Sequence, residues 1–216
     1  MNKAGQSEKL PLRTKLFYGI GDLGNATVNS AIQFFLMKFY TDGALVSSAL
    51  AGNALLIGKI WDAINDPLFG WFTDRTKSRH GKRRVFMLFG AIPLAIAIAL
   101  LWFVPVADLI WTFVWIALTF VLFDTIWTLT NVPYYALTSE LTDNYDERSS
   151  LTTYRMAMAV PAYLVGAALT PAIVGLFALP RTGYAFIGIA YGLLAAVALL
   201  ISAAGLRERS ELAVAK

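Results

Sequence analysis

The stretch IWDAINDPLFGW, Ile60 to Trp71, decides how this chain is read. It is mainly apolar, yet it places two aspartates, Asp62 and Asp66, four residues apart. On a helix that spacing is about one turn, so both carboxylates leave from the same face. The stretch closes a hydrophobic run over 47–72 and opens onto TDRTKSRHGKRR, Thr73 to Arg84, which is strongly basic. Crossing ~30 Å of hydrocarbon takes ~20 mainly apolar residues. A cluster of Lys and Arg just past such a run marks the cytoplasmic side of a membrane. The region therefore predicts a transmembrane helix that carries charge.

Outward from this helix the pattern repeats. Apolar segments run over about 16–41, 47–72, 85–105, 109–138, 151–178 and 184–206, separated by Thr41–Ser48, Thr73–Arg84, Pro105–Asp108, Ser139–Ser150 and Leu179–Gly183. They predict an all-α membrane protein with six transmembrane helices over 16–206, flanked by polar tails at 1–15 and 207–216. Of 216 residues, 57% are hydrophobic and 15% charged, too few charges to clothe a soluble domain of this size. Lys3, Lys9, Arg13 and Lys15 lie in the first tail, and Arg75, Lys77, Arg79, Lys82, Arg83 and Arg84 in the second break. Arg148 follows in the fourth break, and Arg207, Arg209 and Lys216 in the last tail, whereas the opposite-side breaks hold Arg181 alone. This asymmetry predicts that both termini face the cytoplasm and that the chain sits in the inner (plasma) membrane.

Several chemistries drop out. With no cysteine, disulfides, thiolate metal sites and cysteine nucleophiles are excluded. The lone His80 lies among basic loop residues. The net charge of +4 is explained by topology, so no nucleic-acid partner is expected. Gly19, Gly21 and Gly24 match GxGxxG, but no strand precedes them, and close helix packing is the better use. Walker, GxSxG and HExxH patterns are missing, so no enzymatic activity and no cofactor are expected.

Charged groups inside a bilayer are costly and face a cavity or a partner. Three helices carry polar stripes at helical spacing. The first has Asp22, Asn25, Asn29 and Gln33; the second has Lys59, Asp62, Asn65 and Asp66; the fourth has Asp124, Trp127, Thr128, Asn131 and Tyr135. Arg155 stands near the start of the fifth. Lys59 neutralises one of the two second-helix carboxylates, which leaves about one negative charge for Na+ or H+ to balance. The plainer alternative is a structural ion pair that locks this helix to a neighbour. Asp22 and Arg155 would pair across the cavity or hold a polar substrate. Trp127, Tyr134 and Tyr135 would stack on a sugar ring, or else serve as packing and interface aromatics. Pro133 is expected to bend the fourth helix.

The second-helix motif, the basic loop after it, YGIGD (Tyr18 to Asp22) and the block from Val132 to Arg155 resemble the glycoside–pentoside–hexuronide:cation symporters of the major facilitator superfamily, a melibiose permease-like group. The resemblance implies a cation site at Asp62, Asn65 and Asp66 with Thr128 from the fourth helix. It implies substrate contacts at Asp22 and Arg155; Trp127, Asn131 and Tyr135 on the fourth-helix stripe are expected to join them, with Asp124, about two turns from Asn131 on the same face, as a substitute for the charge that Asn131 lacks. It also implies a cytoplasmic gate at Asp74, Arg75, Arg79, Gly81 and Arg83, closed by salt bridges to a second half. The chain departs from the pattern at Asn131 (an aspartate in the family), Tyr135 (a tryptophan) and Gly21 (a lysine).

Family members have twelve helices in two halves, so this chain resembles an amino-terminal half. The expected function is cation-coupled symport of a sugar or glycoside, with a second six-helix half supplied by another chain or a second copy. Carriage of a lipid or other amphiphile is the alternative, followed by a non-transporting membrane subunit or fragment.

Overall fold

Short polar side chains and prolines set the starts of the helices. Ser47 accepts a hydrogen bond from the N–H of Leu50, Asp108 from that of Trp111, and Asn144 from those of Asp146 and Glu147. Each satisfies a donor that has no partner within its helix. Pro180 opens the last helix, where a missing N–H costs nothing. The computed structural model describes residues 9–76, 78, 81–105 and 108–208. It contains α1 (Leu12–Lys38), α2 (Ser48–Arg75), α3 (Arg84–Leu101), α4 (Leu109–Leu141), α5 (Tyr145–Val174) and α6 (Pro180–Gly205). A π-helical turn, Phe39–Gly43, continues α1.

The helices outrun the apolar segments at their polar ends. Leu12–Lys15 is already helical, which shortens the expected tail. The fourth break shrinks from Ser139–Ser150 to the three residues between Leu141 and Tyr145. Hydropathy marks only the part of a helix that suits hydrocarbon, and these turns project beyond it. By length and composition, α3, α4, α5 and α6 can cross a membrane. The helices α1 and α2 have 27 and 28 residues, about 40 Å at 1.5 Å each, but carry the polar stripes.

Lateral packing follows the order α5, α1, α6, α3, α4, α2. The helices α2 and α5 end this series and keep exposed apolar faces. On α2 these include Leu56, Ile60, Ile64 and Leu68; on α5, Val160, Leu164 and Leu169. The three glycines of the rejected dinucleotide motif act in packing, as expected. A Cβ on Gly24 would stand 2.6 Å from the Cα of Ala195 in α6, and one on Gly21 2.7 Å from the Tyr134 ring in α4. One on Gly19 would meet Met158 of α5 at 2.9 Å. The stretch of α1 around Asp22 therefore sits where three neighbours converge.

Candidate functional site

The polar stripe of α2 faces α4. Thr128 Oγ1 donates to Asp66 Oδ1 at 2.9 Å, and Trp61 Nε1 donates to Thr125 Oγ1 at 2.8 Å. Asn65 is fully buried, and its Nδ2 donates to Asp124 Oδ2 at 3.1 Å and to the Asp124 carbonyl oxygen at 3.2 Å. Lys59 Nζ lies 3.2 Å from Asp62 Oδ2, the pairing that their spacing of three predicts. A cavity of about 480 Å³ opens here. Lys59, Asp62, Asp124, Trp127, Asn29 and Gln33 supply its polar lining, and Ile32, Leu36, Leu55, Phe120 and Phe123 much of the rest. Asp66 sits one turn beyond Asp62, outside this lining but held by Thr128. Among the described residues no group of three or more acidic or histidine side chains is drawn together as a metal cluster. An ion held here would take mixed ligands, carboxylate with amide and hydroxyl oxygen.

A second polar cluster joins α1, α4 and α5. Asp22 is 6% exposed; its Oδ2 lies 3.6 Å from Arg155 Nε and its Oδ1 accepts from Tyr135 Oη at 3.3 Å. The Arg155 guanidinium also stacks over the Tyr135 ring, 4.7 Å from its centroid. Asn25 Nδ2 donates to Asn131 Oδ1, and Asn131 Nδ2 donates to the Trp127 carbonyl at 3.0 Å. The remaining acceptor, Asn25 Oδ1, is buried without a hydrogen-bond partner among the described residues.

The structure thus divides the residues expected to touch substrate. Asp22, Asn131, Tyr135 and Arg155 come together. Asp124 and Trp127 line the cavity beside Asp62 instead. Tyr134 is a packing residue: it is fully buried, its hydroxyl donates to the Tyr18 carbonyl at 2.5 Å, and its ring lies 5.1 Å from that of Tyr18.

At the end of the bundle that carries the basic loop, Gly81 has φ of 92°, a left-handed conformation that glycine adopts without strain. Arg83 bridges α2 and α4, with Nη2 3.4 Å from Asp74 and Nε 3.3 Å from Glu140. Arg75 stacks on Trp71 at 4.0 Å. Arg79 lies outside the described residues. Sequence reasoning gave Glu208 no role. It is fully buried, and its carboxylate accepts the N–H groups of Lys82, Arg83 and Arg84, each at 2.8 Å, at the start of α3. The one hint was an acid set between Arg207 and Arg209 just after the last apolar segment.

A family profile described as MFS/sugar transport protein matches residues 17–216. The chain is 38% identical over 98% of its length to an uncharacterized symporter, sll1374, of Synechocystis sp.. It is 32% identical over 79% of its length to the inner membrane symporter YicJ of Escherichia coli. It is 34% identical over 77% of its length to the sodium-dependent lysophosphatidylcholine symporter 1-A of Danio rerio. These alignments cover 40%, 37% and 31% of the respective relatives, so the chain spans about two fifths of their length or less.

Proposed function

The chain belongs to the MFS/sugar transport protein family, and on that premise we propose that it forms one six-helix half of a secondary transporter coupling a cation, Na+ or H+, to an organic substrate. In this reading all six helices cross the inner (plasma) membrane with both termini in the cytoplasm, in keeping with the Lys and Arg distribution. The exposed apolar faces of α2 and α5 then meet lipid or the second half.

The observation that carries the proposal is the double role of α4. Its residues Asp124 and Thr128 reach across to α2, while Asn131 and Tyr135, about two turns further on, reach across to α1. A cation held by Asp62, Asn65, Asp66 and Thr128 offsets the repulsion between carboxylates and draws α2 towards α4. That fixes the position of α4, and with it the groups offered to substrate. Binding at either cluster then favours binding at the other, the reciprocity that symport requires.

For the substrate, a sugar or glycoside fits the α1–α4–α5 cluster. Asp22 and Asn131 accept from hydroxyl groups, Arg155 donates, and the unmet Asn25 Oδ1 invites one more donor. A lysophospholipid-like amphiphile is the second reading. The apolar lining of the neighbouring cavity favours it, as does the similarity to a lysophosphatidylcholine symporter.

The test is uptake into membrane vesicles containing this chain with its second half, using labelled glycosides and lysophosphatidylcholine, with and without a Na+ or H+ gradient. Asp66→Asn is expected to abolish gradient-driven uptake while the protein still inserts. Gradient-driven uptake that survives this change intact would overturn the proposed cation site.

A further inference from the structure

Asp124 shares a helix face with Trp127 and Asn131, yet its partners lie on α2. Both hydrogen bonds from Asn65 Nδ2 end on Asp124, one at the carboxylate (3.1 Å) and one at the backbone carbonyl (3.2 Å). An amide is planar, so holding its nitrogen also fixes the direction of its oxygen. That oxygen, Asn65 Oδ1, is buried and has no hydrogen-bond partner among the described residues. Buried acceptors are normally met, by a hydrogen-bond donor or by a cation. Alkali and alkaline-earth cations take oxygen ligands, amide carbonyls among them. A neutral amide oxygen takes no proton near neutral pH.

We infer that Asp124 is a positioning residue of a metal-cation site: it clamps the Asn65 amide so that Oδ1 is offered to Na+, and its charge strengthens the attraction. The inference rests on the proposed cation site at Asp62 and Asp66, and narrows its ion from Na+ or H+ to Na+. The charges agree. Asp62 and Asp124 line one cavity with a single ammonium, Lys59, and Asp66 lies one turn further along α2, so a bound Na+ offsets a carboxylate charge that Lys59 leaves unpaired. Lys59 keeps 63% of its side chain exposed, so solvent screens its charge.

The test is equilibrium binding of radioactive Na+ to the whole chain in lipid nanodiscs, together with its thermal unfolding without Na+. Asp124→Asn keeps the shape and removes the charge, and is expected to weaken Na+ binding ~10-fold or more. Asn65→Ala should weaken it similarly. The double variant should lose less than the two single losses combined, because part of the effect of Asp124 passes through Asn65. A residue that merely tied α2 to α4 would lower the unfolding temperature and leave Na+ affinity unchanged. Unchanged affinity in Asp124→Asn, or strictly additive losses, overturns the inference. If Asp124→Asn fails to fold, Asp124→Glu keeps the charge and displaces the clamp by one methylene, and wild-type Na+ affinity in that variant overturns it as well. Asp66→Asn separates the two levels. Loss of Na+ binding there with normal binding in Asp124→Asn sinks only the role of Asp124. Normal binding in Asp66→Asn, or no saturable Na+ binding by the unaltered chain, sinks the Na+ site itself.

Discussion

The two polar clusters that share α4 differ in how their charges are met. Between α1, α4 and α5 the one carboxylate, Asp22, faces the guanidinium of Arg155 and the hydroxyl of Tyr135. Between α2 and α4 stand three carboxylates, of which Asp62 is paired with a largely exposed ammonium, Lys59, while Asp66 and Asp124 accept from the uncharged Thr128 and Asn65. The first cluster is balanced before anything binds, so a neutral partner with hydroxyl groups can exchange hydrogen bonds with it at little electrostatic cost. The second is not balanced, and a positive ion removes repulsion that nothing else in the cluster offsets. On the proposed function each cluster suits a different kind of guest, and α4 contributes to both.

The largest effect should come from unbalancing the balanced side. Arg155→Gln leaves Asp22 buried without its cation, and breaking one partner of a buried pair costs ~3–5 kcal/mol. Thermal unfolding in detergent should show that loss. Adding Asp22→Asn should restore most of the stability but not substrate uptake. Recovery of uptake in the double variant would mean that the pair is only a structural lock.

A smaller effect should follow from pressing on the packing behind the same cluster. A methyl group at Gly21 would lie 2.7 Å from the Tyr134 ring, and overpacking of this kind costs ~1–3 kcal/mol. Gly21→Ala should move Tyr134 and its neighbour Tyr135, raising the KM for substrate. Na+ affinity measured without substrate should stay the same, because the α2 contacts with α4 do not pass through Tyr134. Parallel shifts in both quantities would break the division between clusters.

The smallest effect should come from the exposed ammonium. The Lys59–Asp62 pair is largely solvated, and such pairs are worth ~0–1 kcal/mol. Lys59→Gln should therefore leave stability unchanged and tighten Na+ binding by a few-fold, since it removes the positive charge that competes with the ion. Weaker Na+ binding would show instead that Lys59 holds Asp62 in place for the cation.

The helices were legible because hydropathy and break chemistry are local properties. Ser47, Asp108 and Asn144 cap helices where the sequence breaks, and Gly19, Gly21 and Gly24 pack closely, as residues without side chains in an apolar helix should. That Asp62, Asn65 and Asp66 share one side of α2 was legible for the same reason, since spacing fixes a face, whereas the pairing of that face with Thr128 was implied only by the family resemblance. Which neighbour that face meets is not local. Asp124 and Asn131 are seven residues apart and share a stripe, but the two turns between them carry the helix from the reach of α2 to the reach of α1. Nothing in the spacing says where that handover falls. Tyr134 posed the same problem: packing and interface anchoring look alike until the Tyr18 carbonyl is seen opposite its hydroxyl. Glu208 lies further still from local reasoning, because its three donors stand more than a hundred residues earlier.

Glu208 also gives the chain a mechanical property. Beyond α6, the backbone is pinned through this carboxylate to the first turn of α3 and the basic loop before it. Tension applied downstream of residue 208 is therefore delivered to that loop, where Arg83 joins the ends of α2 and α4, before it can peel α6 away. If a second half is joined to the chain beyond residue 208, its movement would pull first on the loop between α2 and α3.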